Sequence, residues 1–127
     1  MSLTPRTDRP LVIVGAGPIG LAAAAQAHER GLPVIVVEAG GSVGQAVLEW
    51  GHVRLFSPWS ELVDAAAARL LEPTGWVRPD ARGLPTGAEW VGDYLAPLAE
   101  ALRSADVAIR TSSRVVGVSR QGRDRLV

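Results

Sequence analysis

Three glycines, Gly15, Gly17 and Gly20, stand between the apolar runs Leu11-Val12-Ile13-Val14 and Val34-Ile35-Val36-Val37, and they constrain this chain more than any other feature. Each run is four residues of β-branched and aliphatic side chains, too short for a helix and long enough for a strand buried on both faces. Between them lies a run of strong helix formers from Leu21 to Arg30, ended by Gly31, which suits the left-handed position after a helix. The order strand, G-x-G-x-x-G turn, helix, strand reads as a βαβ unit with a parallel sheet. In such a turn Gly15 permits the sharp exit from the strand. Gly17 leaves room for a diphosphate to approach the backbone, and Gly20 lets the helix lie close to the strand. Pro18 and Ile19 open the helix, where a missing proline N–H costs nothing and where the free N–H groups of the first turn attract an anion.

The second run ends in Glu38, 18 residues beyond Gly20. A strand-end carboxylate at this distance is placed to accept hydrogen bonds from a ribose 2′,3′-diol and to repel a 2′-phosphate. The residue pattern therefore points to FAD or NAD and away from NADP. Ala39 follows, then a glycine-rich connection through residue 56 in which Gly44 and Gln45 are placed to line a ligand.

Further along, Ser57 and Pro58 predict a helix start and a helix through Leu71, with residues 76–85 a loop. Thr86-Gly87-Ala88-Glu89 is a capping box before a second long helix. Pro97 falls inside that helix and removes the hydrogen bond to the Asp93 carbonyl, so a kink is expected. Val107, Ile109 and Thr111 alternate as a strand, residues 115–118 predict another, and Leu126-Val127 begins a third. The fold class is α/β, a Rossmann-like dinucleotide-binding domain over residues 1–127, with a parallel sheet and an added small antiparallel strand unit.

Composition narrows the function classes. Thirteen basic and thirteen acidic residues cancel, which gives no general attraction to nucleic acid or to an anionic membrane. No cysteine is present, so these residues hold no disulfide, thiolate nucleophile or redox dithiol. Every basic residue is arginine, which removes Schiff-base lysine chemistry. His28 and His52 lack partners at ligand spacing, and no metal site is expected. No apolar run is long enough for a signal or membrane-spanning segment, and a cytoplasmic location is the expectation.

The first forty residues resemble the amino-terminal end of FAD-dependent oxidoreductases with two dinucleotide-binding domains, through Gly15-Ala16-Gly17-Pro18-Ile19-Gly20 and Glu38. The order of Gly40-Gly41-Ser42-Val43-Gly44, the run from Arg54 to Trp59, Pro85-Thr86-Gly87 with Tyr94-Leu95, and Ser113 to Val118 is similar to the flavin-containing monooxygenase and thioredoxin-reductase-like group. The resemblance implies that the glycine turn holds the FAD pyrophosphate, that Glu38 holds the adenosine ribose, and that Val115 offers its backbone to the adenine. Trp50 and Trp59 flank the glycine loop as candidates to stack on a flavin ring, whereas Trp90, at helical spacing, reads as core. The glutathione-reductase and lipoamide-dehydrogenase branch places its redox cysteines directly after the glycine loop, where this chain has none.

Whole proteins of the group carry a second glycine fingerprint for NAD(P)H, which these residues lack. The resemblance thus implies the N-terminal, FAD-binding part of a longer NAD(P)H-dependent flavoprotein acting on a small-molecule substrate. The catalytic residues, the substrate and the oligomeric state are not legible. Two other classes share the βαβ signature: a single-domain NAD-dependent dehydrogenase and a non-catalytic nucleotide-binding module.

Overall fold

A computed structural model of the protein describes residues 9–122. Its centre is a three-stranded parallel sheet, β1 Leu11–Val14, β2 Val34–Val37 and β3 Ala108–Arg110, in the order β1-β2-β3. Leu11 pairs with Val34 and Val14 with Val37, while Ile35 pairs with Ala108. Helix α1, Pro18–Glu29, joins β1 to β2, as the sequence pattern requires of a parallel pair. Arg30 ends α1, and Gly31 follows at φ +73°, a left-handed turn that a glycine adopts without strain.

Strand register sorts the side chains. Ile13 pairs with Val36, so these two share the face that packs under α1, and Val36 is fully buried. Val12 and Val14 point to the other face, where they are 53% and 63% exposed. The sequence expectation that β1 is buried on both faces is thus corrected: the described residues cover one face of the sheet. The core on that face is Leu21, Ala24 and Ala25 of α1 with Leu71, Tyr94, Leu95, Leu98 and Leu102 from the segments described next.

The connection after β2 is not wholly irregular, because a single helical turn, α2 Gln45–Leu48, forms inside it. The helix expected from residue 57 to 71 is two pieces. α3 is Trp59–Leu62 and follows an extended Pro58, Val63 is extended at φ −108° and ψ 118°, and α4 is Ala65–Leu71. Asp64 starts α4, its carboxylate accepting the Ala67 N–H at 2.9 Å. The same carboxylate accepts the Gln26 amide at 3.0 Å, and the Tyr94 hydroxyl accepts the Asp64 N–H at 3.1 Å, so one residue ties α1, α4 and the later helix together. Small residues let α1 and α4 approach: Ala24 and Ala67 are fully buried, and Arg69 holds Glu29 through two bonds of 2.8 Å.

A 3-10 turn, Glu72–Thr74, ends α4, and the expected loop follows to Pro85. The capping box forms in part, with Thr86 Oγ1 accepting the Glu89 N–H at 3.1 Å at the start of α5, Gly87–Trp90. Then the chain enters a π-helical turn, Val91–Leu95, before α6, Ala96–Ser104. Pro97, expected inside one long helix with a kink, instead sits in the first turn of α6 after the π-helical turn, where its missing N–H is tolerated. The Trp76 indole N–H donates to the Asp93 carbonyl at 2.7 Å, occupying the acceptor that proline leaves without a helical partner.

The strand expected at residues 115–118 is absent: residues 113–120 carry no regular structure, and Val116 and Val118 are almost fully exposed. No antiparallel unit forms among the described residues beyond the single bridge between Arg54 and Thr86. The segment would need a ladder partner to satisfy its N–H and C=O groups. The strand expected at Leu126-Val127 lies outside the described residues.

Candidate functional site

The carboxyl ends of β1 and β2 meet the amino end of α1, and the glycine turn is built there. Gly15 leaves β1 at φ +104°, a region closed to most side chains, and its N–H donates to the Val37 carbonyl at 2.8 Å. A methyl group on Gly20 would overlap the Gly15 carbonyl oxygen, so only glycine lets α1 start this close to the turn. A methyl group on Gly17 would meet nothing within 4 Å. That space lies at the start of α1, whose N-cap carries no side-chain hydrogen bond. Ile19 beside it is 83% exposed. The first N–H groups of the helix have no partner within it, and the tip is open.

Glu38 lies next to this tip. Its Oε1 accepts the Ala16 N–H at 2.9 Å, and its Oε2 accepts the Gly40 N–H at 2.6 Å. The carboxylate is half-buried, held across the glycine turn rather than released into solvent. Each oxygen keeps a further lone pair, so the two backbone bonds leave acceptor capacity toward an added hydroxyl. The chain beyond β3 closes the same corner. Ser112 donates its N–H to the Gly40 carbonyl at 2.8 Å, and Ser113 donates to the Glu38 carbonyl at 2.9 Å. Two residues on, Val115 is 37% exposed and, with Val12, Val14, Gly117 and Val118, lines a groove of about 490 Å³ over the open face of the sheet.

Of the sequence-predicted residues, Gly15, Gly17, Pro18, Ile19, Gly20 and Glu38 come together at one corner, and Val115 lies on the run that leaves it. Ala39 is exposed beside Glu38. Gly44 is buried and donates its N–H to the Ala16 carbonyl at 2.8 Å, so it reaches the turn through its backbone. Gln45 lays its side chain over Gly40 and accepts the Ser42 hydroxyl at 3.1 Å. Pro18 and Ile19 also border a second cleft of about 360 Å³ with Leu62, Trp90 and Tyr94.

The tryptophans divide differently from expectation. Trp59 is 6% exposed and belongs to the core, which removes it as a stacking surface. Trp50 covers Gly87, where a methyl group would press into its ring. Trp90 packs half-buried against the core, in line with its helical spacing.

Sequence reasoning missed Ala16. It is fully buried, and its N–H and C=O are both taken, by Glu38 and Gly44. Nothing in its side chain signals this, because the contact is made by the backbone. Asp64 was also missed, although an aspartate three residues before Ala67 is a cap signal.

A parallel sheet, a glycine turn at the tip of the first helix and an acid at the end of the second strand define the Rossmann-like class of dinucleotide-binding domains. The chain belongs to the pyridine nucleotide-disulphide oxidoreductase family, whose pattern matches residues 12–127. Among solved structures it is similar to the bacillithiol disulfide reductase Bdr (YpdA) from Bacillus cereus, at 25% identity and a TM-score of 0.63 over 89% of this chain and 31% of that one. Two further structures share the fold. One is OTEMO in complex with FAD and NADP, at 23% identity, TM-score 0.55, 87% of this chain and 20% of that one. The other is an oxidized steroid monooxygenase bound to NADP, at 24% identity, TM-score 0.53, 81% of this chain and 19% of that one. The chain therefore spans less than a third of the length of these structures. No curated protein matches the sequence. No helix among the described residues is long and apolar enough to cross a membrane.

Proposed function

We propose that this chain binds the ADP half of FAD across the tip of α1 and is the FAD-binding part of an NAD(P)H-dependent flavoprotein oxidoreductase. The observation that carries the reading is Glu38, whose carboxylate is clasped to the Ala16 N–H beside an uncapped helix tip. That arrangement sets an acceptor for a ribose diol near the free N–H donors of a helix tip for a diphosphate, the two kinds of group that an ADP moiety needs. The open space at Gly17 supports the same reading, since a phosphate there meets backbone and no side chain. In this reading Gly15, Gly17, Pro18, Ile19 and Gly20 cradle the pyrophosphate. Glu38 takes the ribose with Ala39 beside it, and Val115 presents its backbone to the adenine. Gly44 and Gln45 close the loop around the site.

Held by these residues, FAD would supply the redox chemistry, hydride acceptance from NAD(P)H and electron transfer to oxygen or an organic acceptor. The residues of this chain bind and orient the cofactor and shield its diphosphate. The NAD(P)H site belongs to a second domain outside these residues. With no cysteine here, any disulfide exchange belongs to that domain as well. A monooxygenase is the reaction class that the steroid monooxygenase among the structural neighbours suggests. A small-molecule substrate and a cytoplasmic location complete the proposal.

The test is the flavin content of the purified full-length protein with Glu38→Ala. Loss of bound flavin, with the helical circular dichroism retained, is the expected result. Flavin content equal to that of the wild type would remove Glu38 from the ribose.

A further inference from the structure

We infer that Val91, in the π-helical turn, is a positioning residue for the phosphate-binding turn, acting through Gly44. The inference rests on the nucleotide-binding reading above. Gly44 sits at φ +66°, and a methyl group built on it would lie 2.9 Å from Val91 Cγ2 and 3.4 Å from Val91 Cγ1. Val91 is 6% exposed and β-branched, so its two methyl groups have little freedom to move aside. They hold the Gly44 backbone against the domain from one side. On the other side the Gly44 N–H holds the Ala16 carbonyl at 2.8 Å, while the Ala16 N–H is held by Glu38 at 2.9 Å. The peptide groups on both sides of Ala16, in the middle of the glycine turn, are thereby fixed, and one of the two fixings is set by where Val91 stands.

A π-helical turn displaces the residues within it relative to a regular helix. Here the turn spans Val91–Leu95, and Pro97 with the Trp76–Asp93 bond of 2.7 Å keeps it in that form. Val91 thus reaches Gly44 from a segment some fifty residues away in sequence, so the form of the π-helical turn bears on the glycine turn.

The test is a cycle of Gly44→Ala, Val91→Ala and the double variant in the full-length chain, read by calorimetric titration with ADP at a temperature where circular dichroism shows each variant folded. Gly44→Ala is expected to weaken ADP by about tenfold, the scale of one strained left-handed residue plus an overlap. Val91→Ala removes the methyl groups that hold Gly44 and is expected to weaken ADP by about fivefold, and the double variant, in which the same contact is lost only once, to bind within about twofold of Gly44→Ala.

A merely structural role would lower the melting temperature of Val91→Ala with ADP affinity unchanged, and that result overturns the inference. Losses that simply add in the double variant overturn it as well. Should Gly44→Ala fail to fold, Val91→Ala carries the test: a loss of about fivefold supports the inference, and affinity within about twofold of the wild type contradicts it. Failure of the wild type to bind ADP would instead sink the nucleotide-binding reading itself, and Glu38→Ala measured alongside separates the two failures.

Discussion

A methyl group on Gly20 has nowhere to go. It would fall on the Gly15 carbonyl oxygen, which is backbone and cannot swing aside. Gly20→Ala is expected to lower unfolding free energy by about 3 kcal/mol, at the upper end of overpacking costs, as read by urea denaturation. A loss under about 0.5 kcal/mol would show that α1 shifts off the turn freely. Tyr94 is another residue whose burial has a measurable signature. Its ring is 1% exposed, and burial pushes the phenol above its ordinary range, with the hydrogen bond from the Asp64 N–H opposing in part. The folded state therefore disfavours the phenolate. Stability is full below the unfolded tyrosine value of about 10 and falls as pH rises from there through the folded value. Tyr94→Phe is expected to abolish that alkaline fall while costing about 1 kcal/mol at neutral pH for the bond lost at Asp64. An alkaline fall of the same size in Tyr94→Phe would assign it to another group.

At the scale of elements, the break between α3 and α4 depends on Asp64. The residue caps α4, accepts from Gln26 on α1 and is bonded to Tyr94. Asp64→Ala is expected to cost about 1–2 kcal/mol by urea denaturation, the upper range for a cap because a second element is released with it. A cost near zero would mean that water replaces both bonds.

The same break shows where the sequence stopped being legible. Periodicity alone reads residues 57–71 as one helix, because Leu62, Ala66 and Leu70 fall on one stripe. The competing signal, a capping aspartate at Asp64, sits inside that stripe and takes effect only once Gln26 and Tyr94 are near it. By contrast β1, α1, β2 and Glu38 were legible because each is specified locally: by β-branched runs, by alanine-rich sequence, and by glycines whose backbone geometry no other residue allows. That Pro97 interrupts a regular helix was legible for the same reason, though neither the π-helical turn before it nor the indole that takes the Asp93 carbonyl was. The 115–118 segment was not, since a valine-rich run reports a tendency to pair and a strand needs a partner.

At the scale of the molecule, the sheet is covered on one face only. Val12 and Val14 face the groove beside Val115, whereas Val36 lies under α1 with no exposure. Val12→Thr is expected to change unfolding free energy by less than about 0.5 kcal/mol, and Val36→Ala to lower it by about 2 kcal/mol or more, both by urea denaturation. Comparable costs at the two positions would show that the Val12 face is covered in solution.

The candidate site sits where this half-covered sheet meets the tip of α1, and it joins three features: a glycine with space beside it, an uncapped helix and a clasped carboxylate. Gly17→Ala separates binding from folding there, because the added methyl group touches nothing in the protein and lies in the space assigned to the diphosphate. The decisive measurement is a calorimetric titration of Gly17→Ala and wild type with ADP, alongside their urea denaturation. The expected result is an ADP affinity at least about tenfold weaker than wild type, with unfolding free energy within about 0.5 kcal/mol. ADP binding by Gly17→Ala equal to that of the wild type would contradict a diphosphate at this helix tip.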